Sequence, residues 1–221
     1  MQSLSWAVKP IKKEVHKVER FQSITVAGGI DLVLKYGDKV QAFVEAESTI
    51  IPHVKLDFKD HNLCISASKF KYKTSKKITI YLTTDTTISC INTQKGNHIS
   101  SQGLLQADRL VVHARQASNV NLNVEARQID LRISGSSSVS VMGTCQDSYV
   151  DISETSFVWT HFLKSTKLNL LADYYCHCKV FASDIISIKA TNGTNVEYIC
   201  ERGAERTIDF DNTTRVVRVD E

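Results

Sequence analysis

Proline is almost absent from this chain: two residues in 221, with only nine glycines beside them. That scarcity excludes a Pro-rich linker, a collagen-like repeat and a disordered low-complexity chain. No apolar run reaches 18 residues, so no segment has the length of a membrane-spanning helix. The first residues, MQSLSWAVKPIKKEVHKVERF, hold no apolar stretch of the signal-peptide kind. The sequence as given is therefore expected to carry neither leader nor membrane span. Charge of one sign is also lacking. The 27 basic and 24 acidic residues are well mixed, and no basic stripe interleaved with aromatics marks a nucleic-acid binder. Ala-Leu-Glu-Lys stretches of helical character are nearly absent. Six cysteines (Cys64, Cys90, Cys145, Cys176, Cys178 and Cys200) occur without a C-x-x-C pair and in too long a chain for a small disulfide scaffold. They read as mostly free thiols acting as small hydrophobes.

What is present is Val, Ile, Thr and Ser, with an apolar fraction of 42% that suffices for a core. At 221 residues the chain fits one large domain or two small ones. The stretch ISGSSSVSV, residues 133–141, sets five small residues between two β-type segments, and its shape recurs. LVVHA-RQASN-VNL begins at 110, IDLRI-SGSSS-VSV at 129, SYVDI-SETSF-VWT at 148, LNLLA-DYYCH-CKV at 168 and ISIKA-TNGTN-VEY at 186. The starts are 19, 19, 20 and 18 residues apart. Each unit alternates apolar and polar residues, turns through five residues, then alternates again, which is the signature of half-buried strands.

A period near 19 is too short for a propeller blade or a helical repeat, and the Leu-x-x-Leu-x-Leu pattern of leucine-rich repeats is missing. A β-solenoid fits, each coil stacking on the last at about 4.8 Å. Its first inward column is Ala114, Ile133, Ile152, Ala172 and Ala190; its second is Val120, Val139, Val158, Cys178 and Val196. The five-residue connectors are corners, where small residues tolerate positive φ and bond the backbone. SGSSS is thus a corner and not a nucleophilic serine motif. The sequons at Asn192 and Asn212 read as corner chemistry too.

The predicted fold class is all-β: a single-domain parallel β-solenoid preceded by antiparallel hairpins. Residues 1–19 read as a charged lead-in, flexible or loosely docked. Residues 20–90 read as a hairpin cap, with strands near 23–27, 30–36, 39–46 and 76–84 and a turn at Asp60-His61-Asn62. Residues 91–205 form the coils and 206–221 a C-terminal strand.

The run FQSITVAGGIDLVLKYGD, the strand VQAFVEAES, then HNLCISA and KKITIYLTT, followed by the ISGSSSV and ATNGTNVEY coils, resembles the head GIN domain family of auto-transporter adhesins over about residues 18–205. The resemblance implies a β-helix-like domain, exported and tethered in the bacterial envelope. Two corners depart from the family's Gly-Ser-Gly habit: Ser153-Glu154-Thr155-Ser156-Phe157 and Asp173-Tyr174-Tyr175-Cys176-His177 are bulkier.

Three candidate sites emerge. Cys176-His177-Cys178 offers thiolate and imidazole, but the register turns Cys178 inward and no further ligand pair completes a set, so no metal is expected. Nothing in the sequence calls for a cofactor. Asp151, Arg132 and Lys189 share an outward column with His113, and Asp130 lies beside it. A polysaccharide lyase or hydrolase would use such residues, although a glycosidase needs two carboxyls about 5 to 9.5 Å apart and no second acid stacks on Asp151. A surface charge ladder, with Arg132 close enough to pair with Asp151, is the plainer reading. On the other strand, Met142, Trp159, His161, Phe181 and Ile199 make an apolar outward patch where a solvated face should be polar, which marks a contact surface or one covered by the lead-in or by residues 214–219. The function expected is a non-enzymatic envelope or surface binding module for a glycan or protein. The alternatives are the lyase or hydrolase and a structural homo-oligomer.

Overall fold

The computed structural model describes residues 10–67 and 77–220; residues 1–9 of the expected lead-in and Glu221 lie outside them. In chain order the first strands are β1 (Ile11–Lys17), β2 (Ser23–Ala27), β3 (Ile30–Tyr36), β4 (Gln41–Glu47), β5 (Val54–Lys59), β6 (Asn62–Ala67) and β7 (Ile78–Thr84). There follow β8 (Cys90–Gln94), β9 (His98–Ser101), β10 (Leu105–Arg115), β11 (Asn119–Ile133), β12 (Ser138–Ile152) and β13 (Phe157–Trp159). The last are β14 (Leu163–Ala172), β15 (His177–Ala182), β16 (Ile185–Ala190), β17 (Asn195–Cys200), β18 (Glu205–Phe210) and β19 (Arg215–Arg218). The one helical piece among the described residues is a 3₁₀ turn at Ile51–His53. No helix among them is long and apolar enough to cross a membrane.

The strands wind into a parallel β-solenoid, as the 19-residue period predicts. Both inward columns hold register across the coils: Ala114 pairs with Ile133, Ile133 with Ile152, Ile152 with Ala172 and Ala172 with Ala190. Val120 pairs likewise through Val139, Val158 and Cys178 to Val196. The second column continues upward through Ile99 and Leu32 to Ile80. On the first sheet a parallel column runs Leu63, Ile24, Ile91, Val112, Leu131, Val150, Leu170, Ile188. No member of these two long columns is more than 3% exposed. Each such Val, Leu or Ile contributes about 1.5–3 kcal/mol of burial, and this continuous stack is the core.

The N-terminal region differs from the expected meander. β2 and β3 already form a coil: β2 lies parallel between β6 and β8, and β3 parallel between β7 and β9. The chain lays down β2–β3, crosses outward to build β6–β7 against one side, then returns to add β8–β9 on the other. Among the described residues, antiparallel pairing is confined to β4 with β7, β1 with β4, and β5 with β6. The β5–β6 turn is the predicted one, with Asp60 and His61 at φ 52° and 60°. Residues 11–17, expected to be part of a loose lead-in, instead pair along their whole length with β4. They cover an edge that would otherwise present unpaired amides, and their lysines keep the new edge hydrophilic.

Each corner carries two consecutive left-handed residues: Gln116-Ala117, Gly135-Ser136, Glu154-Thr155, Tyr174-Tyr175 and Asn192-Gly193, all with φ between 54° and 71°. Such φ costs a non-glycine residue about 1–2 kcal/mol. The stack offsets this cost, because the second residue's amide donates to the carbonyl of the first in the next coil. These bonds are Ala117 to Gly135 (2.8 Å), Ser136 to Glu154 (2.9 Å), Thr155 to Tyr174 (2.8 Å) and Tyr175 to Asn192 (2.9 Å). The following residue turns inward, giving a buried polar column of Asn97, Ser118, Ser137, Ser156, Cys176 and Thr194. Ser137 and Ser156 accept from the amides of Ser118 and Ser137, and Thr194 from that of Cys176. The run Ser134–Ser138 is small because its fourth residue, Ser137, must fit this ladder.

The last corner closes differently. Asp211 and Thr213 side chains replace the missing carbonyls: Asp211 accepts from the Asn192 amide at 2.8 Å, and Thr213 Oγ1 from that of Gly193 at 2.9 Å. The Asn192 amide first, and then the Thr213 hydroxyl, donate to the Asp211 carboxyl and hold it down at about 2. A carboxylate lower in the folded than in the unfolded chain stabilises above the unfolded value of about 3.9, and the contribution is lost as pH falls through the folded value. Comparing melting temperatures of the wild type and Asp211→Ala should show a gap at pH 6 that closes between about pH 4 and pH 2. A gap unchanged over that window counts against this capping role.

Candidate functional site

On the sheet formed by β13 and β15, outward side chains are unusually aromatic. Phe157, Trp159 and His177 form an L with Phe157 at its corner: the Phe157 ring stacks on His177 across the coils with centroids 5.2 Å apart and on Trp159 along its own strand at 6.3 Å. Parallel pairing fixes this arrangement, since Phe157 pairs with His177 and Trp159 with Lys179 in neighbouring coils. Met142 is 47% exposed and Trp159 37%, and Tyr174 and Tyr175 project from the adjoining corner. Lys179 pairs with Glu197 at 3.7 Å along Trp159's own column, so the strip has a polar border.

The expected patch is divided. Met142 and Trp159 are at the surface, whereas Phe181 and Ile199 are 8% and 9% exposed. Their outward register is correct, but β15 ends there. The chain bends toward β16, and the Ser165 hydroxyl of the coil above donates to the Phe181 carbonyl. Phe181 and Ile199 instead line a groove of about 530 Å³ with Lys164, Ser165 and Arg218. His161 is half-buried in the turn after β13, against Phe162 at 4.1 Å. Burial first, then nearby Lys179, lowers its pKa, with Glu197 opposing. Of the coverings considered from sequence, β1 is at the far end, paired with β4, and β19 is the next coil beside β17. Phe157 and His177 were hidden in the sequence as corner residues. Extending each alternation back by one position would have placed them outward beside Trp159.

The other sheet carries the charged candidates. Asp130 is buried and already engaged: Arg109 Nε donates to it at 2.6 Å and Gln128 Nε2 at 3.0 Å. Arg132 sits opposite Asp151, but the pair is not within ion-pair distance. Beyond Asp151 the column continues with Leu171 before Lys189, so Lys189 is two coils away. Asp130, Arg132 and Asp151 border a groove of about 380 Å³; Arg132 and Asp151 also border a second, of about 300 Å³, with His113, Arg115, Ser134 and Ser153.

Cys176, His177 and Cys178 diverge. The Cys176 thiol donates into the corner at the Asp173 carbonyl (3.0 Å), Cys178 is in the core and His177 faces outward. No metal-holding group of three such ligands occurs among the described residues. All six cysteines are free thiols. Burial pushes the Cys145 thiol up to about 12 and raises Cys178 further, which makes both poor nucleophiles.

The architecture defines a class: a β-solenoid closed at its N-terminal end by antiparallel strands, with one aromatic and one charged outer sheet. Residues 20–201 match the family described as "Putative auto-transporter adhesin, head GIN domain", and the chain belongs to that family. Its fold is similar to that of a putative adhesin from Bacteroides fragilis, with TM-score 0.87 at 16% identity over 96% of this chain and 98% of the other. A putative adhesin from Parabacteroides merdae aligns with TM-score 0.76 at 14% identity, covering 95% and 96% of the two chains. A protein from Parabacteroides distasonis described as a putative lipid binding protein aligns with TM-score 0.71 at 13% identity, covering 95% and 97%. No match is found among curated proteins.

Proposed function

We propose that this chain is a non-enzymatic, adhesin-like binding module of the bacterial cell envelope, and that it holds a carbohydrate against the strip of Phe157, Trp159 and His177. The observation that carries the reading is the cluster of three outward rings, His177 and Trp159 each stacked on Phe157, on a rigid parallel sheet. Sugar rings present apolar C–H faces that lie flat on such rings, and a backbone fixed by hydrogen bonds on both sides orders little on binding. Family membership supports the envelope location and the surface-binding role. The lyase or hydrolase reading gains no support, because Asp130 is occupied by Arg109 and Gln128 and leaves Asp151 without an acidic partner.

Trp159→Ala tests this. Trp159 is on the surface, so the melting temperature should stay within about 2 °C while affinity for glycans retained by the wild type on an array falls about tenfold, roughly 1.4 kcal/mol. Binding that is unaltered in both Trp159→Ala and Phe157→Ala would refute the site. Loss of self-association in Trp159→Ala, read by light scattering, would reassign the strip to a homo-oligomer contact.

A further inference from the structure

We propose a second binding site on the opposite outer sheet, where Arg115, Arg132 and His113 take an oxyanion group, carboxylate or sulfate, of an acidic polysaccharide. It is independent of the aromatic strip. His113 and Arg132 are register partners in neighbouring coils, and Arg115 follows His113 by two residues on the same face of β10. The three line one groove of about 300 Å³ with the hydroxyl-bearing Ser134 and Ser153. Both guanidinium groups are on the surface, and neither is within ion-pair distance of a carboxylate among the described residues. This contrasts with Arg109, Arg127 and Arg20, which are each spent on an aspartate.

A second observation points to a ligand. His113 Nε2 is shielded from solvent yet has no hydrogen-bond partner, a costly state for a buried polar atom. Burial, then Arg132 and Arg115, lower the His113 pKa, so the imidazole is held neutral among cations. An oxyanion in the groove would accept from Nε2–H and from the two guanidinium forks, which set paired N–H donors against two acceptor oxygens. Asp151 lines the same groove and leaves a net charge of +1 over Arg115, Arg132 and Asp151 (+2 − 1), with His113 neutral. That balance suits one acidic group at a time and not a densely charged polyphosphate. Here Arg132 serves binding, with no reaction asked of Asp151.

Titration calorimetry at about 0.15 M salt, where exposed charges are screened beyond about 8 Å, should use polygalacturonate, dextran sulfate, neutral dextran and single-stranded DNA. The wild type is expected to bind polygalacturonate or dextran sulfate, and which of the two wins names the oxyanion. Neutral dextran should not bind at this site. Arg132→Gln and Arg115→Gln should each lower affinity about tenfold, while Arg206→Gln in the last coil leaves it unchanged. Both arginines are exposed, and unchanged melting curves confirm folding. Failure of both acidic polymers to bind, equal loss in Arg206→Gln, or tighter binding of DNA through the same arginines would overturn the proposal.

Discussion

Gly143→Ala is expected to remove about 4 kcal/mol or more from the unfolding free energy, or to prevent folding outright. Gly143 sits inside β12 where the coil bends from one sheet toward the next, stacked between Val124 and Leu163. Its φ is +117°, and an added Cβ would stand 2.0 Å from the Val124 carbonyl oxygen and 2.9 Å from its carbon. Those atoms belong to a backbone pinned in the stack, with the Gly143 amide donating to the Phe162 carbonyl at 3.1 Å. Neither coil can retreat without breaking the ladder on both sides. Gly203→Ala separates strain from collision: φ there is +92°, but nothing lies within 4 Å of the new Cβ. It should cost only about 1 kcal/mol. Urea unfolding of the two variants measures the difference, and equal losses would show that backbone strain alone, and not the Val124 contact, governs the site.

The solenoid was legible because two independent periods agree. Alternation told inward from outward within each strand, and the spacing near 19 aligned Ile133 with Ile152 and Val139 with Val158. Where either period lapses, legibility lapses with it. Residues 23–36 look like a hairpin because the strands they stack on, β6 and β7, come later in the chain, and parallel pairing leaves no local mark. The column of Ser118, Ser137 and Ser156 read correctly as corner residues that bond the backbone, but its polar composition gave no sign that each is fully enclosed. Phe181 failed for a third reason. Its register was right, but a bend in the path between β15 and β16 buries what a straight strand would expose. Gly143 gave no signal at all: a glycine in an alternating run looks like any small residue until the carbonyl above it is located.

Asn97→Ala should cost about 3–5 kcal/mol, far more than an ordinary polar truncation. Asn97 heads the buried corner column: its carbonyl accepts from Asn119 just as that of Ser118 accepts from Ser138. Every later position in the column holds a short side chain because another corner lies next to it. Beside Asn97 lies only the two-residue Gly28-Gly29 turn, which supplies no such partner, and the longer carboxamide reaches across. Oδ1 accepts from the Ile30 amide at 2.9 Å, while Nδ2 reaches the carbonyls of Val26 and Gln94, both at 2.7 Å. Alanine would orphan all three backbone groups in a site where Asn97 is 2% exposed. Asn97→Asp makes the argument sharper, since shape is kept while the donor becomes an acceptor facing two carbonyl oxygens. Burial and those oxygens disfavour the carboxylate and raise its folded pKa above the unfolded value of about 3.9. The folded state then binds more protons than the unfolded one, so the variant's deficit grows as pH rises above about 4 and levels off once the folded-state group ionises. Urea unfolding of Asn97→Asp beside the wild type at pH 4 and pH 7.5 should therefore give a small gap at the first and a large one at the second. A deficit independent of pH, or an alanine variant losing under about 1 kcal/mol, would mean that the carboxamide does not hold the first corner to the Gly28-Gly29 turn.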